Sequence, residues 1–184
     1  MKKMKTRKYF AILCLTCLAA TSCIKEKLAE TYNKQEEKIS SYIDSALRNN
    51  DDYTAVNIEG ANRLTYVQGE GEELKPDGSL TFYYAGYIFD GNVSTSNMFA
   101  TNRQASADDA GWNLSEGNYE AETLNLKDAK LLPGLRSGLT GVKAGEECEI
   151  LFSGKYGYGN MTFGIIPANS ALLYKIWVVS ISNE

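Results

Sequence analysis

The apolar periodicity of the chain changes near residue 52, and this change limits the fold more than any other feature. In residues 24–50 apolar side chains recur at helical spacing among many helix formers, up to an Asn-Asn-Asp-Asp run. From residue 63 onward the apolar positions alternate, with glycine and proline turns between short β-rich runs. The sequence therefore predicts an α+β fold in which a charged, amphipathic N-terminal helix precedes an antiparallel sheet.

Four strands and one short helix are predicted after residue 52. The helix is predicted in LLPGLRSGLT, where Pro133 suits a first helical turn and Gly138 and Gly141 limit the length. The strands are predicted at residues 63–68, 79–89, 147–153 and 171–181. A sheet curled over one short helix fits these elements. Residues 92–119 are polar and irregular, and they are predicted to form a functional loop or a flap.

The N-terminal segment has the order of a secretory signal peptide. Five basic residues precede an apolar run at 9–20 that is too short to span a bilayer, and small residues then lead to Cys23. The end of this segment resembles a bacterial lipobox, in which the cysteine carries lipid; a plain cleavage site with a chance cysteine is the alternative. We therefore expect a lipoprotein signal peptide at 1–22 and a lipid anchor on Cys23.

The same interpretation predicts the domain organisation and the location. Residues 23–52 are expected to be the lipidated N-terminus and a helical spacer, and 53–184 the folded domain. A dimerisation helix is the alternative to the spacer. The expected location is the cell envelope, with the protein lipid-anchored to the outer membrane of a Gram-negative bacterium.

Composition excludes several classes of function. The chain has no histidine, which removes Ser-His-Asp and Cys-His nucleophiles and histidine metal sites, so no metal is expected. It also has no EF-hand, P-loop or Rossmann pattern, and no cofactor is expected. Of 19 basic residues, five leave with the signal, so 14 remain against 23 acidic ones, a net charge of −9 that disfavours nucleic acid. Cys148 is the one cysteine left for the mature domain, so no internal disulfide can form.

Two long motifs resemble those of the FKBP-type peptidyl-prolyl isomerases. They are LLPGLRSGLTGVKAGE at 131–146 and YGYGNMTFGIIPANSALLY at 156–174, and the strand YYAGYIFDG at 83–91 precedes them in the family's order. The resemblance covers about residues 62–182. It implies a five- or six-stranded antiparallel sheet wrapped around a short helix, with a shallow apolar pocket between them.

The resemblance also implies which residues form this pocket. The implied catalytic residues are Tyr84, Phe99, Leu132, Tyr158, Ile165, Ile166 and Tyr174, and the implied substrate-binding residues are Leu131, Leu135 and Ala100. Ile165 and Ile166 correspond to the flap isoleucines of the family and would form a wall of the pocket. The Leu132 N–H corresponds to the backbone donor that orients the substrate carbonyl.

Two positions depart from the family's pattern. The family's Phe-Asp pair is matched by Phe99 and Ala100 once a few residues are inserted, so the aspartate has become alanine. Leu135 replaces the tryptophan that usually floors the pocket, which makes the floor smaller. Both departures bear on catalytic efficiency and leave the fold unaffected.

A site of this kind needs no ionisable group. Prolyl bonds isomerise over a barrier of roughly 18–20 kcal/mol because amide resonance is broken in the twisted state, and an apolar pocket that excludes water favours that state.

The implied function is a peptidyl-prolyl isomerase, a folding catalyst or chaperone for exported proteins. Its implied partners are proline-containing polypeptides, macrolide-type ligands, and the membrane through the lipid anchor. The alternative is a weak or inactive FKBP-like module that binds a peptide, a partner protein or a small ligand.

Overall fold

A computed structural model describes residues 4–113 and 119–184, with side chains from residue 25 onward. The elements are helix α1 (Met4–Asn49), strands β1 (Thr54–Ile58), β2 (Ala61–Val67), β3 (Ser79–Phe89) and β4 (Met98–Thr101), helix α2 (Gln104–Asp109), strand β5 (Glu122–Asn125), helix α3 (Pro133–Leu139), and strands β6 (Glu147–Phe152) and β7 (Ala171–Ser182). The side chains of the predicted signal peptide and of Cys23 lie outside the described part. Within that part, none of the helices combines the length and the apolar character needed to cross a bilayer.

The strands of the described residues form one antiparallel sheet in the order β1-β2-β6-β7-β3-β4. Strand β3 pairs with β7 along its whole length on one edge. On its other edge, the first half of β3 pairs with β5 and the second half with β4. Strands β4 and β5 both pair with this edge of β3, one after the other along its length. The seven strands of the described residues therefore form a sheet that is six strands wide. The predicted α+β class, with its antiparallel sheet and short helix, is confirmed.

The two faces of the sheet carry two separate apolar cores. Neighbouring residues of β6 and β7 belong alternately to one core and the other: Ile150 and Leu172 lie in the core under α3, whereas Leu151 and Leu173 lie in the second core. Successive side chains of a strand point to opposite faces, so a central strand that is covered on both faces is apolar throughout. This explains the continuous apolar runs in ECEILF and ALLYKIWVV.

The second core is covered by the C-terminal part of α1. The helix ends at Asn49, where the sequence predicts its end, and Ile39 and Ile43 on it are 1% and 7% exposed. The chain divides into two compact units, Met1–Lys34 and Gln35–Glu184. The sequence places the start of the domain at residue 53, but the compact unit starts at Gln35 because the apolar stripe of the helix packs against the sheet.

The polar segment 92–119 contains more secondary structure than the sequence predicts. Within its described part lie a 3-10 turn (Thr95–Asn97), strand β4 and helix α2. A four-residue strand has little periodicity of its own, and β4 forms through pairing with β3 and burial of Met98, which is 2% exposed. The prediction of a structureless loop is therefore wrong for residues 95–109.

Gly138 allows α3 to lie close to β6, and we expect Gly138→Ala to destabilise the fold. A Cβ at Gly138 would overlap the Ile150 side chain, which lies beneath the helix. Alanine favours a helix by about 1 kcal/mol over glycine, but overpacking a core costs about 1–3 kcal/mol, and the overlap here is severe. We expect a net loss of about 1–2 kcal/mol in the free energy of unfolding, measured with urea. Ser137→Ala on the same helix is the control, and equal stability of the two variants would contradict this account.

Candidate functional site

A cavity of about 560 Å³ lies between α3, the strands β3, β4 and β5, and the loop before β7. Its lining residues in the described part of the chain are Phe82, Tyr84, Phe99, Ala100, Trp112, Glu122, Leu124, Leu131, Leu135, Tyr158, Phe163, Gly164, Ile165, Ile166 and Tyr174. Among these residues Glu122 alone is charged. The cavity is therefore an apolar, largely aromatic site with one carboxylate at its rim.

Nine of the ten residues that the sequence predicts for the pocket line this one cavity. The exception is Leu132, which is half-buried and lies at the N-terminal boundary of α3, next to Leu131. Within the described residues the Leu132 N–H has no hydrogen-bond acceptor, as its proposed role requires. The structure thus brings the predicted residues together, and their roles in catalysis stay predictions.

Tyr174 on β7 lies at the centre of the aromatic wall. The ring of Phe99 meets it edge-on at a centroid distance of 5.7 Å, Tyr84 lies at 6.4 Å, and Phe152 stacks on it at 6.1 Å. Gly86 pairs with Tyr174 across the strands, and a Cβ there would lie 2.7 Å from the Phe99 Cζ atom. Glycine at this position therefore leaves room for Phe99 to reach Tyr174.

Asn102 holds the backbone of Tyr84 in place, and sequence analysis missed it. Its side chain is 8% exposed, and its Oδ1 atom accepts a hydrogen bond from the Tyr84 N–H at 2.6 Å. Its Nδ2 atom donates to the carbonyls of Phe82 and Glu120 at 3.2 and 3.0 Å. Buried polar side chains are almost always paired in this way, and here the pairing ties β3 to the chain after β4. The only feature of the sequence that could have indicated a role for Asn102 is its position directly after Ala100 and Thr101.

The chain between β6 and β7 spans residues 153–170, and residues 154–169 of it are called the flap. In it Phe163 and Ile166 exchange two backbone hydrogen bonds of 3.0 and 2.9 Å, which close a tight turn. The Phe163 ring stacks on Tyr158 at 4.7 Å, and sequence analysis did not include Phe163 in the site. Ile166 is 2% exposed and anchors the flap in the core, whereas Ile165 is 66% exposed at the mouth of the cavity.

Burial keeps the phenols of the cavity protonated. It raises the pKa of Tyr84, Tyr158 and Tyr174 above the ordinary value for tyrosine. The Glu122 carboxylate raises the pKa of Tyr84 further, and the neighbouring Tyr158 and Tyr84 do the same for Tyr174. The described residues contain no cluster of histidine, cysteine or acidic side chains that could hold a metal ion. The arrangement can bind and desolvate an apolar ring, and it supplies neutral hydrogen-bonding groups.

The pH dependence of any activity at this site follows from these phenols. Their raised pKa values mean that the folded state holds the phenolic protons more tightly than the unfolded state, so their contribution to stability is complete below about pH 10 and is lost as the pH rises further. We expect kcat/KM to be flat from about pH 7 to about pH 9 and to fall only at higher pH. A pH series of the isomerase assay tests this, and a step near neutral pH would contradict it.

Comparison with known proteins agrees with this fold. Residues 70–179 match the family model described as FKBP-type peptidyl-prolyl cis-trans isomerase. The chain therefore belongs to the family of FKBP-type peptidyl-prolyl cis-trans isomerases, whose activity is the isomerisation of peptidyl-prolyl bonds.

Relatives of two kinds are similar to the chain. FK506-binding protein 1 of Aspergillus oryzae is 24% identical over 67% of this chain and 99% of its own length. The isomerases FkpA of Buchnera aphidicola and Mip of Chlamydia trachomatis are 30% and 27% identical, over 62% and 81% of this chain. The chain spans 38% of that FkpA and 55% of that Mip. A crystal structure of FkpA from Escherichia coli shares the fold, with a TM-score of 0.56 and 18% identity over 98% of this chain and 74% of that one.

Proposed function

We propose that the cavity turns over prolyl bonds of exported proteins and that the protein is a folding catalyst or chaperone of the cell envelope. The observation that carries this proposal is the convergence of nine predicted residues on one apolar cavity. Those residues come from β3, β4, α3, the flap, β7 and the segment before α3. Because these segments are far apart in the sequence, a shared function explains why their residues meet in one cavity more simply than chance does. Proline-containing polypeptides are the proposed substrates.

The geometry supports catalysis by desolvation and orientation. The rings of Tyr84, Phe99 and Tyr174 would surround the proline ring, and water would be excluded from the amide. A twisted amide has less charge separation than a planar one, so a site of low polarity lowers its free energy relative to water. The Leu132 N–H, which has no acceptor among the described residues, would orient the carbonyl of the substrate.

The second candidate function is a binding module with weak turnover. It is favoured by Ala100, which places a methyl group where the family has a carboxylate, and by Leu135, which is 8% exposed and belongs to the core as much as to the cavity. A volume of about 560 Å³ lies within the size range of small-molecule sites, about 300–1,000 Å³. A macrolide such as FK506 is the small ligand proposed for this cavity.

An isomerisation assay without a coupled protease separates the two functions. It uses the full chain, because α1 from Gln35 onward belongs to the compact unit. Turnover of a Leu-Pro peptide that FK506 inhibits would support the isomerase. Peptide binding without turnover would support the binding module, and Ala100→Asp and Leu135→Trp are then the variants expected to increase turnover. A folded chain that neither binds nor turns over the peptide would overturn both functions.

We further propose that the mature protein is held at the envelope by lipid on Cys23, at the outer membrane of a Gram-negative bacterium. Support comes from the order of basic residues, a short apolar run and small residues before Cys23. Mass spectrometry of the mature N-terminus tests this, and an unmodified cysteine would overturn it. Cys23→Ala is expected to release the protein from the membrane fraction.

A further inference from the structure

The side chain of Gln35 on α1 is hydrogen-bonded to both ends of the flap. Its Nε2 atom donates to the carbonyl of Asn169 at 2.7 Å, and its Oε1 atom accepts from the N–H of Gly154 at 2.9 Å. Gly154 is the first residue of the flap and Asn169 the last. One amide group therefore joins the point where the flap leaves the sheet to the point where it returns.

The two ends of the flap lie in backbone contact, which makes such a junction possible. A Cβ on Gly154 would overlap the backbone of Asn169, so only glycine allows this approach. Asn169 adopts a left-handed conformation with φ of 61°, and its N–H donates to the Gly159 carbonyl. The N–H of Gly154 is paired with one acceptor and the C=O of Asn169 with one donor, and both belong to the Gln35 amide. A primary amide supplies both at once, whereas a carboxylate only accepts.

The buried face of α1 fixes the position of Gln35. Ile39 and Ile43 follow at intervals of four residues and are 1% and 7% exposed, so all three side chains lie on one face of the helix. Lys38 makes a comparable contact elsewhere, since its Nζ atom donates to the Asp90 carbonyl at 2.8 Å. The helix thus reaches two different loops: the flap through Gln35, and the segment after β3 through Lys38.

The shape of the cavity depends on the position of the flap. Tyr158, Phe163, Ile165 and Ile166 all line the cavity from the flap. Ile166 is anchored in the core, whereas Phe163 and Ile165 are 59% and 66% exposed, and Phe163 stacks on Tyr158, which belongs to the flap itself. We propose that Gln35 is a positioning residue of the isomerase site, which sets the flap wall of the cavity by joining the two ends of the flap. This inference rests on the proposed use of the cavity as the prolyl-peptide site.

The test compares three variants of the full chain. Gln35→Met keeps the length of the side chain and removes both hydrogen bonds. Gln35→Glu keeps the acceptor for the Gly154 N–H and loses the donor to Asn169. Lys38→Met is the matched control, because it removes a hydrogen bond between the same helix and a loop that does not line the cavity. The measurements are kcat and KM for a Leu-Pro peptide, the thermal midpoint, and hydrogen exchange at the Gly154 and Ile166 amides.

We expect Gln35→Met to raise KM by about five- to tenfold with kcat changed less than about twofold, because a loosened wall must be ordered when the peptide binds. Gln35→Glu should show a smaller rise, and Lys38→Met none. Exchange at the Ile166 amide should accelerate in Gln35→Met, accelerate to a smaller extent in Gln35→Glu, and stay unchanged in Lys38→Met. A purely structural role would lower the thermal midpoint in both Gln35→Met and Lys38→Met without this rise in KM.

Two results would overturn the inference. One is a KM in Gln35→Met equal to that of Lys38→Met, and the other is unchanged exchange at the Ile166 amide. If Gln35→Met does not fold, Gln35→Glu is judged by the same two criteria. If the wild-type chain neither turns over nor binds the peptide, the proposed isomerase site fails, and the positioning role in catalysis fails with it. Accelerated exchange in Gln35→Met would then still show that Gln35 holds the flap, so the two failures are distinguishable.

Discussion

Tyr84→Ala is expected to lower kcat/KM for prolyl isomerisation by about 10- to 100-fold while the protein stays folded. The tyrosine ring supplies part of the apolar wall, and burying an aromatic side chain against a substrate contributes about 1.5–3 kcal/mol. Each 1.36 kcal/mol corresponds to about a factor of ten in rate, which gives the expected range. The assay is isomerisation of a Leu-Pro peptide by the full chain.

Tyr83→Ala is the matched control for this prediction. Tyr83 is the neighbouring residue on β3, is also half-buried, and lines a different, polar cleft with Arg103 and Gln104. Because adjacent strand residues point to opposite faces, truncating Tyr83 should leave kcat/KM within about twofold of wild type. Equal losses in both variants would mean that Tyr84 acts through general stability, and no loss in Tyr84→Ala would place the reaction outside this cavity.

Arg63→Met is expected to lower the free energy of unfolding by about 3–5 kcal/mol. The Arg63 Nη1 atom donates to the carbonyls of Gly138 and Thr140 at 2.9 and 2.8 Å, and Nη2 donates to that of Gly141 at 3.3 Å. Its Nε atom lies 3.3 Å from the Glu146 Oε1 atom, in an ion pair whose side chains are 11% and 6% exposed. Methionine would leave a buried carboxylate without its cation and the end of α3 without a donor.

Lys143→Met gives the comparison for an exposed ion pair. Lys143 lies 3.7 Å from Glu73, and the two side chains are 37% and 69% exposed, so solvent screens the interaction. We expect a change of less than about 1 kcal/mol. Urea unfolding of both variants measures the difference. If Arg63→Met costs no more than Lys143→Met, the buried pair does not hold α3 in place. The double variant Arg63→Met with Glu146→Met should recover part of the loss, since no unpaired charge remains.

Much of the site could be predicted because its residues belong to contiguous motifs. Leu131 and Leu135 flank the proline that starts α3, and Ile165 and Ile166 precede Pro167 in the flap. Phe99 was harder to place, because the segment around it has no periodicity, yet the structure brings it to Tyr174. Trp112, Glu122 and Leu124 also line the cavity and were not predicted. They come from short segments whose position is set by pairing with β3 or by packing.

Local chemistry in the sequence by itself determined the helix at Pro133, the end of α1, the long strands β3, β6 and β7, and the apolar character of the site. Each of these depends on residues that are near one another in the chain. Only the tertiary structure decided that β4 completes the cavity, that the compact unit begins at Gln35, and that this glutamine joins the ends of the flap. The hydrogen bonds of Gln35 link residues 119 and 134 positions apart. Such contacts form because two core faces bring distant segments together, and no local pattern records them.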